Sequence, residues 1–257
     1  MTSNSHPFDL RGHVALVTGG NSGIGFGMAA GLASAGAAVA IWGSNAARNE
    51  EAADELRRHG QRVLPVVCDV GDEQQVAAAT AETLTGLGQI DSCFANAGIG
   101  GHSLLVDLTL AEWRRVMRVN AEGTFLTMRA VARHMIERGG GGSLIATSSL
   151  AATEGVSRSS HYAASKAAVG ALVRTLAVEL ARHRIRANAI LPGAILTPMS
   201  ESTFTSAAAE QRLLPRVPAR RWGVPADLAG IAVYLASSAS AYHSGDSFTI
   251  DGGFAIA

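Results

Sequence analysis

Tyr162 and Lys166 stand four residues apart in HYAASKAAVGAL (161–172), among small and mostly apolar neighbours. On a helix that spacing puts a phenol and an ammonium on one face, about 5–6 Å apart at Cβ. A phenol with an ordinary pKa of about 10 is a poor base at neutral pH. A positive charge beside it favours the phenolate, so the pair has the makings of a general acid/base. A plainer reading is also open: a tyrosine packed against the stem of a snorkelling lysine.

A second stretch with chemical meaning is TGGNSGIG (18–25), which follows the apolar run VALVT and opens a helical segment. Gly19 permits a tight turn, Gly23 lets a phosphate approach the backbone, and Gly25 lets the helix lie close on the strand. Exposed N–H groups and the helix dipole then favour a pyrophosphate. The spacing is TGxxxGxG rather than the GxGxxG fingerprint, and an ordinary βα turn is the alternative.

The elements that must position these residues alternate along the chain. Strand-like runs occur at 14–18, 38–42, 62–67, 90–95, 143–147, 186–191 and 247–250. Helical segments fill the intervals at 23–35, 46–59, 72–87, 109–138, 161–183 and 225–237. Such alternation predicts right-handed βαβ units in an α/β fold: a doubly wound parallel sheet of about seven strands with helices on both faces. No linker divides the chain, so a single domain over 1–257 is expected, with 1–8 a flexible tail. Residues 198–222 break the rhythm, and a long connection there reads as a substrate-binding loop.

Bulk properties narrow the function. With 21 acidic and 21 basic residues the net charge is zero, which advertises neither a nucleic-acid nor a membrane surface. Cys68 and Cys93 lie in or beside apolar runs without metal-ligand spacing, so no metal is expected, and they read as buried hydrophobes in a reducing compartment. No signal peptide is evident at the start and no apolar run reaches about 18 residues. A cytoplasmic location is the expectation.

The motifs taken together resemble the short-chain dehydrogenase/reductase family in its single-domain form of about 250 residues. The resemblance spans nearly the whole chain: TGGNSGIG, CDV (68–70), ANAG (95–98), VNAEGTF (119–125), TSS (147–149), YAASK (162–166), LPGAILT (191–197) and RWGVPADLAG (221–230) occur in family order. It implies a Rossmann-type NAD(P)-binding fold and an oxidoreductase that moves hydride between NAD(P)(H) and a secondary alcohol or ketone. Alternatives are a 3-oxoacyl-thioester (acyl-carrier-protein) reductase and, more remotely, a non-catalytic nucleotide-binding scaffold.

By that resemblance the catalytic residues are Asn120, Ser149, Tyr162 and Lys166. Tyr162 would exchange the proton, Ser149 would donate to the substrate oxygen, and Lys166, together with the positive nicotinamide ring of the oxidised cofactor, would lower the phenol's pKa; Lys166 would also hold the nicotinamide ribose. Asn120 would hold a water linking Lys166 to solvent. Cofactor contacts carried over are Gly19, Asn21, Ser22, Gly23, Ile24, Gly25, Ser44, Asp69, Val70, Asn96, Ala97, Gly98, Ile195 and Thr197. Asp69 would take the adenine amino group, and Asn96 and Ala97 would lie along the adenosine ribose. Substrate contacts are Ser149, Leu150, Ala151, Tyr162 and Met199, with Gly100–Ser103, Val156, His161, Ala194 and Phe204 also lining the pocket. His161 reads as a neutral pocket or surface residue.

Two departures from the family pattern bear on specificity. The end of the second strand reads IWGSNAAR, with neither the carboxylate that selects NAD nor an arginine for a 2′-phosphate. Ser44, Asn45 and Arg48 are left to read the ribose, so both NAD and NADP are expected to work, with a small lean to NADP. Gly43→Asp should then favour NAD, and Ser44→Arg should favour NADP. The second departure is LAVE (176–179), where Val178 replaces a basic residue on a surface that would meet an acidic carrier. Arg129, Arg133 and Arg174 are the candidates to compensate. The expected partners are a small-molecule carbonyl or alcohol substrate and further copies of the chain. By resemblance these form a homotetramer through helices 109–138 and 161–183 and the last strand.

Overall fold

Short β-branched and small apolar runs, buried on both faces, suit the interior strands of a parallel sheet. Seven form here: β1 (Val14–Thr18), β2 (Ala38–Gly43), β3 (Val63–Val67), β4 (Ser92–Ala95), β5 (Gly142–Thr147), β6 (Ile185–Pro192) and β7 (Ser247–Ile250). The computed structural model describes residues 6–257, the side chains of 208 and 209 excepted. The strand order is β3-β2-β1-β4-β5-β6-β7, and every pairing is parallel. The chain reverses direction across the sheet between β1 and β4, and at such a switch point a crevice opens beyond the carboxyl ends of the strands.

The helices are α1 (Gly23–Ser34), α2 (Ala46–Arg57), α3 (Glu73–Leu87), α4 (Leu110–Met117), α5 (Gly123–Arg138), α6 (Ser160–Glu179), α7 (Glu201–Phe204), α8 (Ala207–Arg212) and α9 (Ala229–Ala236). Two apolar clusters form the core. One includes Leu16, Trp42, Cys93, Leu144 and Val173, the other Val17, Leu32, Ile41, Phe94 and Leu235. Trp42, the largest side chain sealed inside, satisfies its indole N–H on Thr83 Oγ1 at 3.0 Å. Both cysteines are buried, and burial pushes the Cys68 thiol up to about 12. They are packing groups here.

The structure corrects three of the predicted helices. The segment 109–138 is helical from Leu110 to Arg138 but not one uniform α-helix: a π-helical turn, Arg118–Glu122, interrupts it between α4 and α5. Such single wide turns insert a residue into the ladder, and this one carries Asn120. The segment 161–183 ends its α-helix at Glu179, and Ala181–His183 tightens to 3₁₀ before Arg184 turns left-handed at φ 60°. The segment 225–237 begins as a 3₁₀ turn, Pro225–Leu228, because proline suits a first turn whose N–H groups are free.

Residues 198–222 contain α7, α8 and a 3₁₀ turn (Leu214–Arg216) on an exposed face. Of the tail expected over 1–8, residues 1–5 lie outside the described residues. Pro7 accepts a bond from Ser238 Oγ at 3.2 Å, and the Phe8 ring lies 6.3 Å from that of Tyr234.

Candidate active site

β5 ends at Thr147, and the TSS run turns there into the short 3₁₀ helix Leu150–Ala152, with Ser149 as its cap. That turn places Ser149 near Tyr162 in the first turn of α6, close enough to influence the phenol's titration. Four residues further on, Lys166 is only 4% exposed, and its Nζ donates to the Thr147 carbonyl oxygen at 2.7 Å. Nζ lies 5.8 Å from the Tyr162 ring centroid. Serine, tyrosine and lysine therefore meet at the carboxyl end of β5, beside the crevice.

Burial raises the Tyr162 phenol above its usual value, and Ser149 pulls it part of the way back. Burial pushes Lys166 down to about 8. The charge-assisted bond to Thr147 favours the charged form and opposes that shift. Lys166 thus does not hold the phenol low through the protein alone. At neutral pH Tyr162 carries its proton.

Asn120 lies at the site with its side chain fully bonded within the protein. Its Oδ1 accepts from Ile99 N at 2.8 Å, and its Nδ2 donates to Ile99 O at 3.0 Å and to Ser165 Oγ at 3.1 Å. Both amide hydrogens are spent. The side chain fastens the segment after β4 to α6 and has no donor left for a water beside Lys166. His161 is completely buried, and neither ring nitrogen has a hydrogen-bond partner. Its Nε2 lies 3.7 Å from Glu112 Oε1, while Arg115 binds both oxygens of Glu112 and also Gly100 O at 3.1 Å. A side chain at Gly101 would collide with the His161 ring.

The glycine-rich turn fits a dinucleotide. Gly19 (φ 64°) and Gly23 (φ 53°) are left-handed, where a Cβ is strained. A Cβ at Gly25 would penetrate Gly19 O, so only glycine lets α1 rest on the turn. Thr197 faces Gly23 closely enough that a Cβ there would stand 3.2 Å from it. The start of α1, with Ser22 as its cap and Ile24 in its first turn, thus faces the chain after β6. The free N–H groups at a helix start suit phosphates.

Other carried-over positions are committed within the protein. The Asn96 amide donates to Thr18 O at 3.0 Å and accepts from Thr147 Oγ1 at 3.0 Å, and Ala97 N donates to Thr18 Oγ1. Asn96 ties β1, β4 and β5 together rather than reaching outward with its side chain. Asp69 pairs with Arg118 at 3.0 Å and accepts from Gly71 N at 2.9 Å. Val70 is buried against Gly123. Ile195 is buried in the core, and Thr197 bonds Ser200, whose Oγ donates to Ile195 O. Gly98 borders Lys166 Nζ and Asn120 Oδ1.

At the end of β2, Ser44, Asn45 and Arg48 are exposed, and Asn45 Oδ1 caps α2 through Arg48 N at 3.0 Å. The switch Gly43→Asp requires Asn21 and Asn49 to give way. A Cβ at Gly43 would collide with both Asn21 Nδ2 and Asn49 Oδ1, which bond each other at 2.7 Å. Around the substrate position, Leu150 and Ala151 are largely buried, with Leu150 facing the core, whereas Met199 is exposed and leans over Gly100. Ser103 N donates to Arg158 O, joining two rims of the mouth, and Phe204 stacks on Trp222 with centroids 5.1 Å apart.

Sequence reasoning passed over Thr18, Thr147 and Asn49, all of which hold the site. Thr18 and Thr147 were visible as the polar residues that end apolar strands. Asn49 shares the spacing of Ala52, Ala53 and Leu56, all buried. A polar residue on the apolar stripe of a helix was the signal that could have found it.

Fold and site together define a dinucleotide-binding oxidoreductase on a doubly wound sheet. The chain belongs to the short-chain dehydrogenase/reductase family. A family model described as enoyl-(acyl carrier protein) reductase matches residues 19–255. The 2-dehydro-3-deoxy-D-gluconate 5-dehydrogenase of Dickeya dadantii is 38% identical over 247 residues, covering 96% of this chain and 97% of its own. A short-chain type dehydrogenase/reductase from Mycobacterium marinum superposes with a TM-score of 0.93 at 39% identity, covering 98% of both chains. A gluconate 5-dehydrogenase from Burkholderia cenocepacia, in complex with NADP and tartrate, gives 0.93 at 38% identity, again over 98% of both. The enzyme is an NAD(P)-dependent dehydrogenase/reductase acting on a hydroxyl or keto group of a small molecule.

The acyl-carrier reading is not favoured. The family model's description names a carrier protein, but nearly full-length relatives at this identity are the more specific guide. The surface agrees with them: Val178 is 81% exposed, and Arg129 is occupied by Glu73 and by the face of Phe125. Among the described residues no helix is long and apolar enough to cross a membrane.

Proposed function

We propose that Tyr162, Ser149 and Lys166 carry out the proton chemistry of reversible oxidation of a secondary alcohol, with a small hydroxylated ketone rather than an acyl thioester as the partner form. The meeting of Ser149, Tyr162 and the buried Lys166 at the carboxyl end of β5, with Nζ 5.8 Å from the Tyr162 ring, carries the reading. A bound nicotinamide cofactor would supply or accept the hydride. In reduction, the Tyr162 O–H protonates the oxygen that becomes the alcohol, while the Ser149 hydroxyl donates to that same oxygen and fixes its position. The Lys166 charge then stabilises the phenolate left behind. Because burial keeps the phenol protonated at neutral pH, the proton donor is ready for reduction there, and oxidation needs a more alkaline medium.

The glycine-rich turn, Thr197 and the end of β2 would hold the cofactor as one domain, with NADP slightly preferred because no carboxylate stands at Ser44 to repel its phosphate. Residues 198–222 would cover the substrate through Met199 and Phe204, and the polar rim of His102, Ser103 and Arg158 suits a hydroxylated substrate. Relatives named for gluconate and ketogluconate point to a sugar acid as the first compound to try. The enzyme would work in the cytoplasm as a homotetramer, or failing that a dimer, which light scattering at micromolar concentration would test. A screen of keto sugar acids, sugars, steroids and acyl thioesters with reduced cofactor tests the substrate class. Turnover of thioesters alone would refute it.

A further inference from the structure

Asn49 is 1% exposed, on a helix whose neighbouring positions Glu50, Glu51 and Asp54 face solvent. Its Nδ2 donates to Gly43 O at 2.8 Å and to Val66 O at 2.9 Å, and its Oδ1 accepts from Asn21 Nδ2 at 2.7 Å. One amide thus ties together the end of β2, the end of β3 and the glycine-rich turn. Its two hydrogens are both used, so it has nothing left to offer a ligand directly. Asn21, in turn, spends its amide hydrogen inward on Asn49, which holds the turn against β2.

The same pair closes position 43. Any Cβ there would run into Asn21 Nδ2 and Asn49 Oδ1 together. A carboxylate at the end of the second strand is the usual device for selecting NAD, and here its first available position is barred from within the protein. We infer that Asn49 is a positioning residue that sets cofactor specificity: it fixes the glycine-rich turn through Asn21 and excludes a side chain at Gly43, so that ribose discrimination falls to Ser44 and Arg48. This rests on the reading that the end of β2 meets the adenosine ribose. Arg48 is exposed, and its guanidinium has no hydrogen bond or ion pair to any described residue, so it is free to turn toward a phosphate.

The test uses fluorescence titration of the whole enzyme with NADPH and NADH, alongside melting temperature and kcat at saturating cofactor. Asn49→Ala should raise both dissociation constants about tenfold, the equivalent of roughly one hydrogen bond, with kcat at saturation nearly unchanged. Asn21→Ala leaves both carbonyl bonds of Asn49 intact, so it should fold normally and still weaken both cofactors. The two substitutions combined should cost little more than either alone, because they cut the same link. Gly43→Asp should weaken both cofactors in the wild type, but in the Asn49→Ala background it should shift preference toward NADH at least tenfold. Lowered melting temperature with unchanged dissociation constants, or strictly additive effects, would make Asn49 a core residue only and overturn the inference. If Ser44→Asp leaves the NADPH/NADH ratio unmoved while the Asn21–Asn49 coupling persists, it is the placement of the ribose that fails. The inferred specificity role then falls with it, and the link to the turn is all that remains.

Discussion

The Lys166 ammonium donates to the Thr147 carbonyl oxygen, 2.7 Å away, and not to the Tyr162 hydroxyl one helical turn before it. Ser149, near the phenol, is what lowers the Tyr162 pKa against the effect of burial. Lysine and tyrosine are therefore coupled through space and through a shared strand end rather than by direct contact. The pH behaviour of each can be separated by substitution.

Alcohol oxidation should rise with pH. It needs the phenolate, and burial raises the Tyr162 pKa, so the rising limb of kcat/KM is displaced toward alkaline pH. Removing the Ser149 hydroxyl deletes the interaction that lowers this pKa. Ser149→Ala should consequently move the limb further up as well as reduce the rate. A limb that stays in place or moves down would show that Tyr162 is not the titrating group.

Lys166→Met should abolish turnover yet stabilise the fold near neutral pH. The folded pKa of about 8 lies below the ordinary 10.5. Below pH 8 both states are protonated and the burial penalty is complete, about 3 kcal/mol at 1.36 kcal/mol per pH unit. Between about pH 8 and 10.5 the unfolded chain binds the extra proton, so wild-type stability rises with pH and the penalty disappears. The lost bond to Thr147 offsets part of the gain, leaving about 1 kcal/mol at pH 7. Denaturant unfolding at pH 7 and pH 10 decides it: the advantage of the variant should shrink or reverse at pH 10, and an advantage that grew with pH would contradict the sign.

Asn120→Ala should destabilise the protein by about 1–3 kcal/mol, because it strands the part-buried N–H and C=O of Ile99 and unpins α6. If Asn120 served only to hold a water, stability would hardly change and only proton transfer would slow. Urea titration of the variant distinguishes the two.

Gly25→Ala should remove cofactor binding altogether, since its methyl group would be driven into Gly19 O at the floor of the turn. Backbone has little room to yield, and overpacking of this kind costs typically about 1–3 kcal/mol or more. Retention of NADPH fluorescence enhancement would show that the turn is looser than the packing implies.

Much of this was legible in the sequence because its signals are local. Strand and helix alternation gave the sheet, and the glycine positions gave the turn, since each requirement concerns a residue and its near neighbours. What was illegible depends on pairings distant along the chain. Asn21 meets Asn49 across 28 positions, Asn96 meets Thr147 across 51, and Asn120 meets Ser165 across 45. Asn21, Asn96 and Asn120 were expected to face cofactor or water, whereas their side-chain amides also bond inward. The π-turn at 118–122 was hidden for a related reason: the Thr124 hydroxyl bonds to Asn120 O, and the Asn120 side chain is held by Ile99, a partner from another segment.

The measurement closest to the central claim compares wild type with Tyr162→Phe on one keto substrate found by the screen, following nicotinamide absorbance and, separately, the dissociation constant for NADPH. Loss of a general acid is worth about 10²–10⁴-fold in rate. The variant should lose turnover by that factor while binding NADPH within about threefold of wild type, because the phenol acts on the substrate and the cofactor cradle is built elsewhere. A Tyr162→Phe enzyme that kept its rate within tenfold, or one that lost cofactor binding as completely as turnover, would contradict the assignment.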